Sequence, residues 1–159
     1  DAQESRGLGD VYKRQGMDYA YAQFFTGRQD TGIMDHYRAH LSDGFPGRTL
    51  SAVCVSAAPT RQEALEQSLM AANFRVSLGT GRPVTFVTAS QMDAETRSLL
   101  TSYVLSNEDT IFVGDYDEVA DKLTAFQDAH HVDELMLISY IDNVQTKVER
   151  YRQLAKRLI

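Results

Sequence analysis

The sequence is poor in cysteine, in long apolar runs and in basic residues, and each of these shortages argues against a class of protein. Its 159 residues include one cysteine and three prolines, so no disulfide can form within one chain. No run approaches the roughly 18 consecutive apolar residues of a membrane-spanning helix. Basic residues are a minority, 16 against 22 acidic ones, which disfavours a nucleic-acid partner. We therefore expect a cytoplasmic globular protein without a membrane or nucleic-acid partner.

The residue types that carry most hydrolytic or metal chemistry are also scarce or badly spaced. Cys54 lies within an apolar run, as a small buried hydrophobe does. His36 and His40 are four residues apart on a predicted helix, a spacing that two metal ligands can have, but no third ligand lies nearby. His130 and His131 fall in a predicted helix-to-strand turn. We predict no metal site and no nucleophilic serine or cysteine.

Residues 1–15 differ from the rest of the chain. They have no apolar periodicity and resemble translated sequencing-adapter sequence. Gly7 and Gly9 suggest a glycine-rich phosphate loop, but no strand precedes them and no glycine follows three residues later. We expect a non-native, disordered leader at 1–15, followed by one domain with a single core at 16–159.

From residue 16 onward, signals for strands and helices alternate. Aromatic or small apolar runs favour buried strands, and apolar residues at three- and four-residue spacing favour helices packed on a sheet. Such alternation is typical of a parallel α/β fold with right-handed crossovers. We interpret residues 80–110 as an insertion. The expected order is strand 18–25, helix 31–41, strand 50–58, helix 60–79, an extended piece at 84–87, helix 93–105, strand 111–113, a helix from 115, strand 134–140 and a last helix from 142.

Two helix starts can be located to the residue. Thr60 and Glu63 have the three-residue spacing of a capping box, in which two side chains bond backbone amides reciprocally. Asp115 and Glu118 repeat that spacing after the next predicted strand. These acidic side chains are therefore explained by a helix N-terminus, without a catalytic role.

The segment from Gly114 to Leu123, followed by residues 133–135, resembles the end of the bacterial-luciferase-like flavin monooxygenases. Family members usually have Ser-Pro or Thr-Pro after that glycine, where this chain has Asp115 and Tyr116. Asp115 can cap the helix as the usual serine or threonine does, but the proline is missing. The resemblance therefore does not indicate a subfamily. The resemblance covers most of 16–159: the sixth, seventh and eighth barrel strands of the family are similar to 16–25, 50–58 and 134–140.

The resemblance implies an α/β fold, the C-terminal portion of a luciferase-like TIM barrel with about three strand-helix units. A complete barrel of this class needs about 250 residues. We therefore expect a fragment whose three strands leave two open edges and a large apolar face. Its full-length parent is expected to be a homo-oligomer.

The resemblance also implies chemistry. Family members bind reduced FMN, or in some relatives a deazaflavin, and use dioxygen to oxidise a small organic substrate. A separate flavin reductase would supply the reduced cofactor. We expect a fragment of such a monooxygenase. Because the main phosphate-binding loop of the family lies upstream of residue 16, we expect the chain alone neither to bind flavin tightly nor to turn over.

Barrel geometry places functional residues just past the C-terminal ends of the strands. At those positions the resemblance gives four candidates that could wall a flavin or substrate pocket, with ordinary packing as the alternative for each. Arg28 could meet a phosphate or an acidic substrate, and is otherwise a solvated loop residue. The four candidates are Phe24, Phe25, Ser139 and Tyr140, and Thr26, Ala57, Ala58 and Asp142 lie at the same strand ends.

Two other functions are consistent with the sequence. One is a noncatalytic flavin-binding protein, since relatives with shortened barrels store flavin without turnover. The other is a complete, open α/β interaction domain, which would be stable and monodisperse when residues 16–159 are produced alone.

Overall fold

The computed structural model describes residues 16–26, 31–41 and 44–159, and every structural statement below concerns these ranges. The expected leader at 1–15 and Arg28 lie outside the described residues. The elements in chain order are β1 (Tyr19–Tyr21), α1 (Gln23–Thr26), α2 (Thr31–Arg38), β2 (Thr49–Ala58), α3 (Arg61–Thr80), a 3-10 turn (Ala89–Gln91), α4 (Ala94–Leu105), β3 (Ile111–Asp115), α5 (Tyr116–His130), β4 (Glu134–Ile138) and α6 (Val144–Leu158).

The strands form one parallel sheet around β2. β1 pairs with residues 49–51 of β2, β3 with 54–58 and β4 with 50–54. Because Cys54 pairs with both β3 and β4, these two strands lie on opposite edges of β2. β1 overlaps β4 along β2 and therefore shares the edge of β3. The fold is α/β with a parallel sheet, as predicted. Its four strands correspond to the four of the sequence pattern, one more than the three barrel strands that the resemblance implied.

The first strand is shorter than the sequence pattern predicted. A strand over 18–25 was expected, whereas β1 ends at Tyr21 and Phe24 and Phe25 lie in the helical turn α1. The cause is the sheet itself, since β3 occupies this edge of β2 from Cys54 onward. A longer β1 would run into β3, so the chain turns away.

Other boundaries also differ from the prediction. Residues 84–87 form no strand; the carbonyl of Thr85 accepts a 2.8 Å hydrogen bond from Asn73 of α3. β4 ends at Ile138, two residues early, because its pairing with β2 stops there. α2 is likewise shorter, and α3 continues past Gly79. α3 ends at Thr80, and the capping residue Gly81 has a φ of 67°, in the left-handed conformation that favours glycine.

Both predicted helix starts are confirmed, but of the two predicted capping boxes the reciprocal bonds are found only at the second. Thr60 Oγ1 accepts the amide of Glu63 at 3.2 Å. At the junction of β3 and α5 the capping box is complete: Asp115 Oδ1 accepts the Glu118 amide, and Glu118 Oε2 accepts the Asp115 amide, both at 3.0 Å. Gly114 leaves room for this, since a Cβ there would lie 2.6 Å from Glu118 Oε2. The family-like glycine is thus required by the cap that follows it.

Helices cover both faces of the sheet. Alternate residues of β2 belong to two separate hydrophobic clusters, with Val53 and Val55 in the first and Cys54 and Ala58 in the second. The expected large apolar face is therefore wrong, because α3 packs on β2 and β3 at the second face, and α4, from the segment interpreted as an insertion, packs against α3 and extends that cluster. The first cluster includes Met34, Tyr37, Val119, Leu123 and Leu154, and the second includes Leu69, Ala72, Leu100 and Val104.

Both outer edges of the sheet lack a further strand among the described residues, as expected. β4 pairs with β2 alone on one side, and β1 and β3 pair with β2 alone on the other. The described helices include none that is long and apolar enough to cross a membrane.

Thr49 and Asp133 join β2 to β4 at the N-terminal ends of the strands. Asp133 Oδ2 accepts the amide of Thr49 at 2.7 Å and its hydroxyl at 2.8 Å. Arg38 Nη2 donates to Thr49 Oγ1 at 2.7 Å and lies 3.5 Å from Asp133 Oδ2. Burial raises the pKa of Asp133, but the Thr49 hydrogen bonds and the Arg38 charge outweigh it and hold that pKa below its usual range.

We predict that Asp133→Asn lowers the free energy of unfolding at pH 7. The loss should be about 1 kcal/mol, since hydrogen bonds to a charged group are strong but this carboxylate is partly screened by water. The folded pKa is below the unfolded value of about 3.9, so the stabilisation is present above that pH and disappears as the pH falls through the folded pKa. Urea unfolding between pH 7 and pH 3 measures this, with the exposed Asp121→Asn as control. A constant difference across that range contradicts the prediction.

A second prediction tests whether α4 packs into the second hydrophobic cluster. Leu100 and Leu99 are adjacent in α4, yet their exposed fractions are 5% and 66%. We expect Leu100→Ala to lower the free energy of unfolding by about 2–5 kcal/mol, the range for a buried leucine. Leu99→Ala should change it by less than about 0.5 kcal/mol. Equal losses in chemical denaturation would show that α4 does not pack as described.

Candidate functional site

A cavity lies at the C-terminal ends of the strands. Its volume is about 600 Å³, and the chain just after β4 forms one of its walls. A smaller cavity of about 370 Å³ adjoins it and shares Tyr140, Ile141 and Asp142. The larger cavity is lined by Met70, Phe86, Thr88, Gln91, Ile138, Ser139, Tyr140, Ile141, Asp142 and Lys147.

Three aromatic side chains from distant parts of the sequence meet at this cavity. We call Phe74, Phe86 and Tyr140 the aromatic cluster. The ring centroids of Phe74 and Tyr140 are 5.4 Å apart, those of Phe74 and Phe86 5.9 Å, and those of Phe86 and Tyr140 6.0 Å. Phe86 and Tyr140 line the cavity with their planes only 19° apart. The three rings pack on one another beside the cavity, and the Phe86 side chain is 62% exposed.

The structure connects two of the predicted site residues through a residue that was not predicted. Phe25 meets the ring of Phe74 edge-on at 6.4 Å, and Phe74 contacts Tyr140. Phe24 instead packs against the second hydrophobic cluster, 5.4 Å from the ring of Phe25. Neither Phe24 nor Phe25 is among the residues that line the cavity.

Ser139 lines the cavity but its hydroxyl is already engaged. Its Oγ donates to the hydroxyl of Tyr151 at 2.9 Å, and the residue is only 6% exposed. Asp142 is exposed and borders both cavities. Ala57 and Ala58 are buried in the core and line neither cavity.

The ionisable groups around Tyr140 keep the wall uncharged. Burial raises the pKa of the Tyr140 phenol, Cys54 raises it further, and Arg75 opposes them. Burial also raises the pKa of the Cys54 thiol to about 11, again opposed by Arg75. The guanidinium of Arg75 donates to the hydroxyl and the carbonyl oxygen of Thr110, both at 2.9 Å. At neutral pH the wall therefore offers a neutral phenol that can donate a hydrogen bond, and no thiolate nucleophile.

Charged groups at the cavity nearly balance. Among the described residues that line it, Lys147 is the one cation and Asp142 the one carboxylate. The adjoining cavity adds Glu63 and Glu66, and Arg150 lies 3.8 Å from the Glu63 carboxylate. This lining does not concentrate positive charge as a phosphate site does.

The histidines lie away from the cavity. His36 and His40 are exposed on and just after α2, and His40 Nδ1 is 2.9 Å from the carbonyl oxygen of His36. His130 is buried with its ring 4.3 Å from that of Phe126, and burial lowers its pKa. Within the described residues, no group of three or more His, Cys, Asp or Glu side chains is placed to hold a metal ion.

Sequence reasoning missed Phe74 and Phe86. Phe74 lies off the apolar stripe 65, 69, 72 and 76 of α3, and an aromatic residue outside such a stripe is the signal that could have identified it. Phe86 belongs to the apolar run 84–87, which the pattern predicted to be extended, and nothing local indicated which face it would meet.

Comparison with known proteins gives related monooxygenases at low identity. No known protein-family profile matches the chain. It is 24% identical over 147 residues to N-acetyl-S-alkylcysteine monooxygenase of Bacillus subtilis (strain 168), which covers 91% of this chain and 44% of that enzyme. The chain thus spans less than half the length of this curated relative.

The fold can be compared with solved structures. The crystal structure of apo-MsnO8 aligns with a TM-score of 0.68 at 25% identity, over 96% of this chain and 48% of that one. Long-chain alkane monooxygenase (LadA) aligns at 0.49 and 17% identity, over 80% and 33% of the two chains. The parallel α/β fold described above is therefore shared with about half of apo-MsnO8, and the sequence resembles that of a monooxygenase at low identity.

Proposed function

We propose that this chain is part of a luciferase-like, flavin-dependent monooxygenase that oxidises a small organic substrate with dioxygen. The observation that carries the proposal is the similarity to N-acetyl-S-alkylcysteine monooxygenase along 91% of the chain. The cavity supports it, because ligands of parallel α/β folds bind at the C-terminal ends of the strands. The family-like segment from Gly114 to Leu123 is consistent with it.

The cavity fits one part of FMN better than the other. A flavin ring is planar with polar edges, and the cavity is lined by the aromatic rings of Phe86 and Tyr140, the second of which carries a hydroxyl. The phosphate has no comparable partner, since Lys147 shares the lining with the carboxylate of Asp142. We propose that the chain contacts the ring of reduced FMN or the substrate beside it, and that the phosphate is bound by residues other than those described.

The flavin, when bound, supplies the electrons that activate dioxygen. The chain would do three simpler things. Phe74 and Phe86 keep water from one side of the cavity, the Phe86 ring stacks on the ligand, and the Tyr140 hydroxyl donates a hydrogen bond to it. A separate cytoplasmic reductase would supply the reduced flavin. The curated relative makes small thioethers of acylated amino acids the first substrate class to test.

We predict that Phe86→Ala, made in the gene product that contains these residues, weakens the binding of FMN while the fold stays intact, because the side chain is 62% exposed. The dissociation constant should rise about twofold to tenfold, since an aromatic pair contributes roughly 0.5–1.5 kcal/mol beyond buried area. Phe86→Leu keeps most of the apolar area, so it should lose the aromatic contribution alone and weaken binding less than Phe86→Ala does. Leu105→Ala, also at an exposed position, is the control. If Phe86→Ala and Leu105→Ala bind FMN equally in fluorescence titrations, the ring contact is wrong.

The activity is tested on the gene product that contains these residues, with the 159-residue chain alongside. The assay contains FMN, NADH, a flavin reductase and N-acetyl-S-methylcysteine under ¹⁸O₂. The mass of the product is measured by mass spectrometry. We expect oxygen-dependent substrate loss with one labelled oxygen atom in the product, and no turnover by the chain alone.

Two outcomes would count against the enzyme. Retention of flavin without loss of any thioether would favour a noncatalytic flavin-binding protein. A gene product that neither retains flavin nor consumes substrate would reject both flavin functions and favour the interaction domain.

A further inference from the structure

We propose that Tyr151 is a positioning residue of the cavity: its hydroxyl fixes the end of β4 and thereby sets Tyr140 against Phe74 and Phe86. The inference rests on the proposed function in one respect only, namely that the part of the cavity lining that Tyr151 positions would contact a ligand. Tyr151 packs on the first hydrophobic cluster and Tyr140 on the second. Tyr151 therefore acts on the position of Tyr140 through the end of β4, which connects the two faces of the sheet.

The hydroxyl of Tyr151 uses its full bonding capacity on this strand end. It donates to the carbonyl oxygen of Leu137 at 3.1 Å. It accepts from the amide of Ser139 at 3.1 Å and from the Ser139 hydroxyl at 2.9 Å. A phenol has one donor and two acceptor positions, so all are used.

These bonds reproduce those of a neighbouring strand. In a parallel ladder, the residue opposite position i donates to the carbonyl of i−1 and accepts the amide of i+1. With Ile138 as position i, these groups are the Leu137 carbonyl and the Ser139 amide. β2 holds the other edge, where Cys54 pairs with Ile138, and no described strand pairs with this one. One hydroxyl on α6 thus completes the ladder at the last residue of β4.

The constraint reaches Tyr140 because it is the next residue. Ser139 is held at both its amide and its side chain, so the direction of the chain into Tyr140 is fixed. That direction carries the Tyr140 ring to 5.4 Å from Phe74 and 6.0 Å from Phe86. Without the Tyr151 hydroxyl, the end of β4 would be bonded along one edge only.

The test is Tyr151→Phe, which keeps the packed ring and removes only the hydroxyl. Tyrosines labelled with ¹³C at Cζ are observed by NMR, and the Tyr140 signal is assigned by its loss in Tyr140→Phe. We expect the Tyr140 signal to move in Tyr151→Phe, and exchange of the Ser139 amide to speed up about tenfold or more. The matched control is Tyr103→Phe, which removes the hydroxyl of a partly buried tyrosine on α4 that packs on the second cluster.

A Tyr140 signal and a Ser139 exchange rate that match the wild type in Tyr151→Phe would overturn the proposal. So would equal changes in Tyr103→Phe, which would indicate a general loss of stability. Ser139→Ala removes one of the three bonds and should move the Tyr140 signal less than Tyr151→Phe does. This second variant decides the question if Tyr151→Phe does not fold.

FMN binding gives a second, independent test of the proposal. In the gene product that contains these residues, Tyr151→Phe should raise the dissociation constant for FMN about twofold to tenfold, as expected for a displaced stacking ring. Unchanged affinity there would also overturn the proposal. A wild-type gene product that binds no FMN contradicts the proposed function instead, and the NMR measurement, which needs no ligand, still decides the effect of Tyr151 on Tyr140.

Discussion

The enclosure of β2 is the constraint on which the rest of the fold depends. This strand is paired along both edges, and every residue from Ser51 to Ala58 is buried. Its second face carries the small side chains of Cys54, Ser56 and Ala58, so a helix can approach closely. Ser56 Oγ donates to the carbonyl oxygen of Ala64 in α3 at 2.8 Å, a direct bond between strand and helix. A larger residue at these positions would push α3 away and open the second core.

The features predicted correctly from the sequence are those that depend on residues close together in the chain. The Asp115 and Glu118 cap needed only residues three apart, and the alternation of strands and helices needed only short apolar patterns. The end of β1 at Tyr21 could not be predicted this way, because it depends on β3, which is remote in sequence. Phe74 and Phe86 were missed for a similar reason. Their ring contacts join α3, an irregular segment and the end of β4, and no single window contains all three.

The two ends of the sheet are built from different interactions. At the N-terminal ends, Thr49, Asp133 and Arg38 form a polar network that ties β2 to β4. At the C-terminal ends, the sheet opens on aromatic rings and a cavity with few charges. This division matches parallel α/β folds, in which one end of the strands serves stability and the other binds ligands. The same chemistry at both ends would leave no apolar surface for a flat ligand.

The pairing of β2 with β4 also has a consequence during synthesis. Thr49 and Asp133 are 84 residues apart, so β2 leaves the ribosome well before its partner. At about 5–20 residues per second, the interval is roughly 4–17 seconds. Throughout that interval the edge of β2 that β4 later covers is unpaired, a state that favours pairing with other chains. The order of synthesis therefore leaves the most enclosed strand of the finished fold exposed for longest.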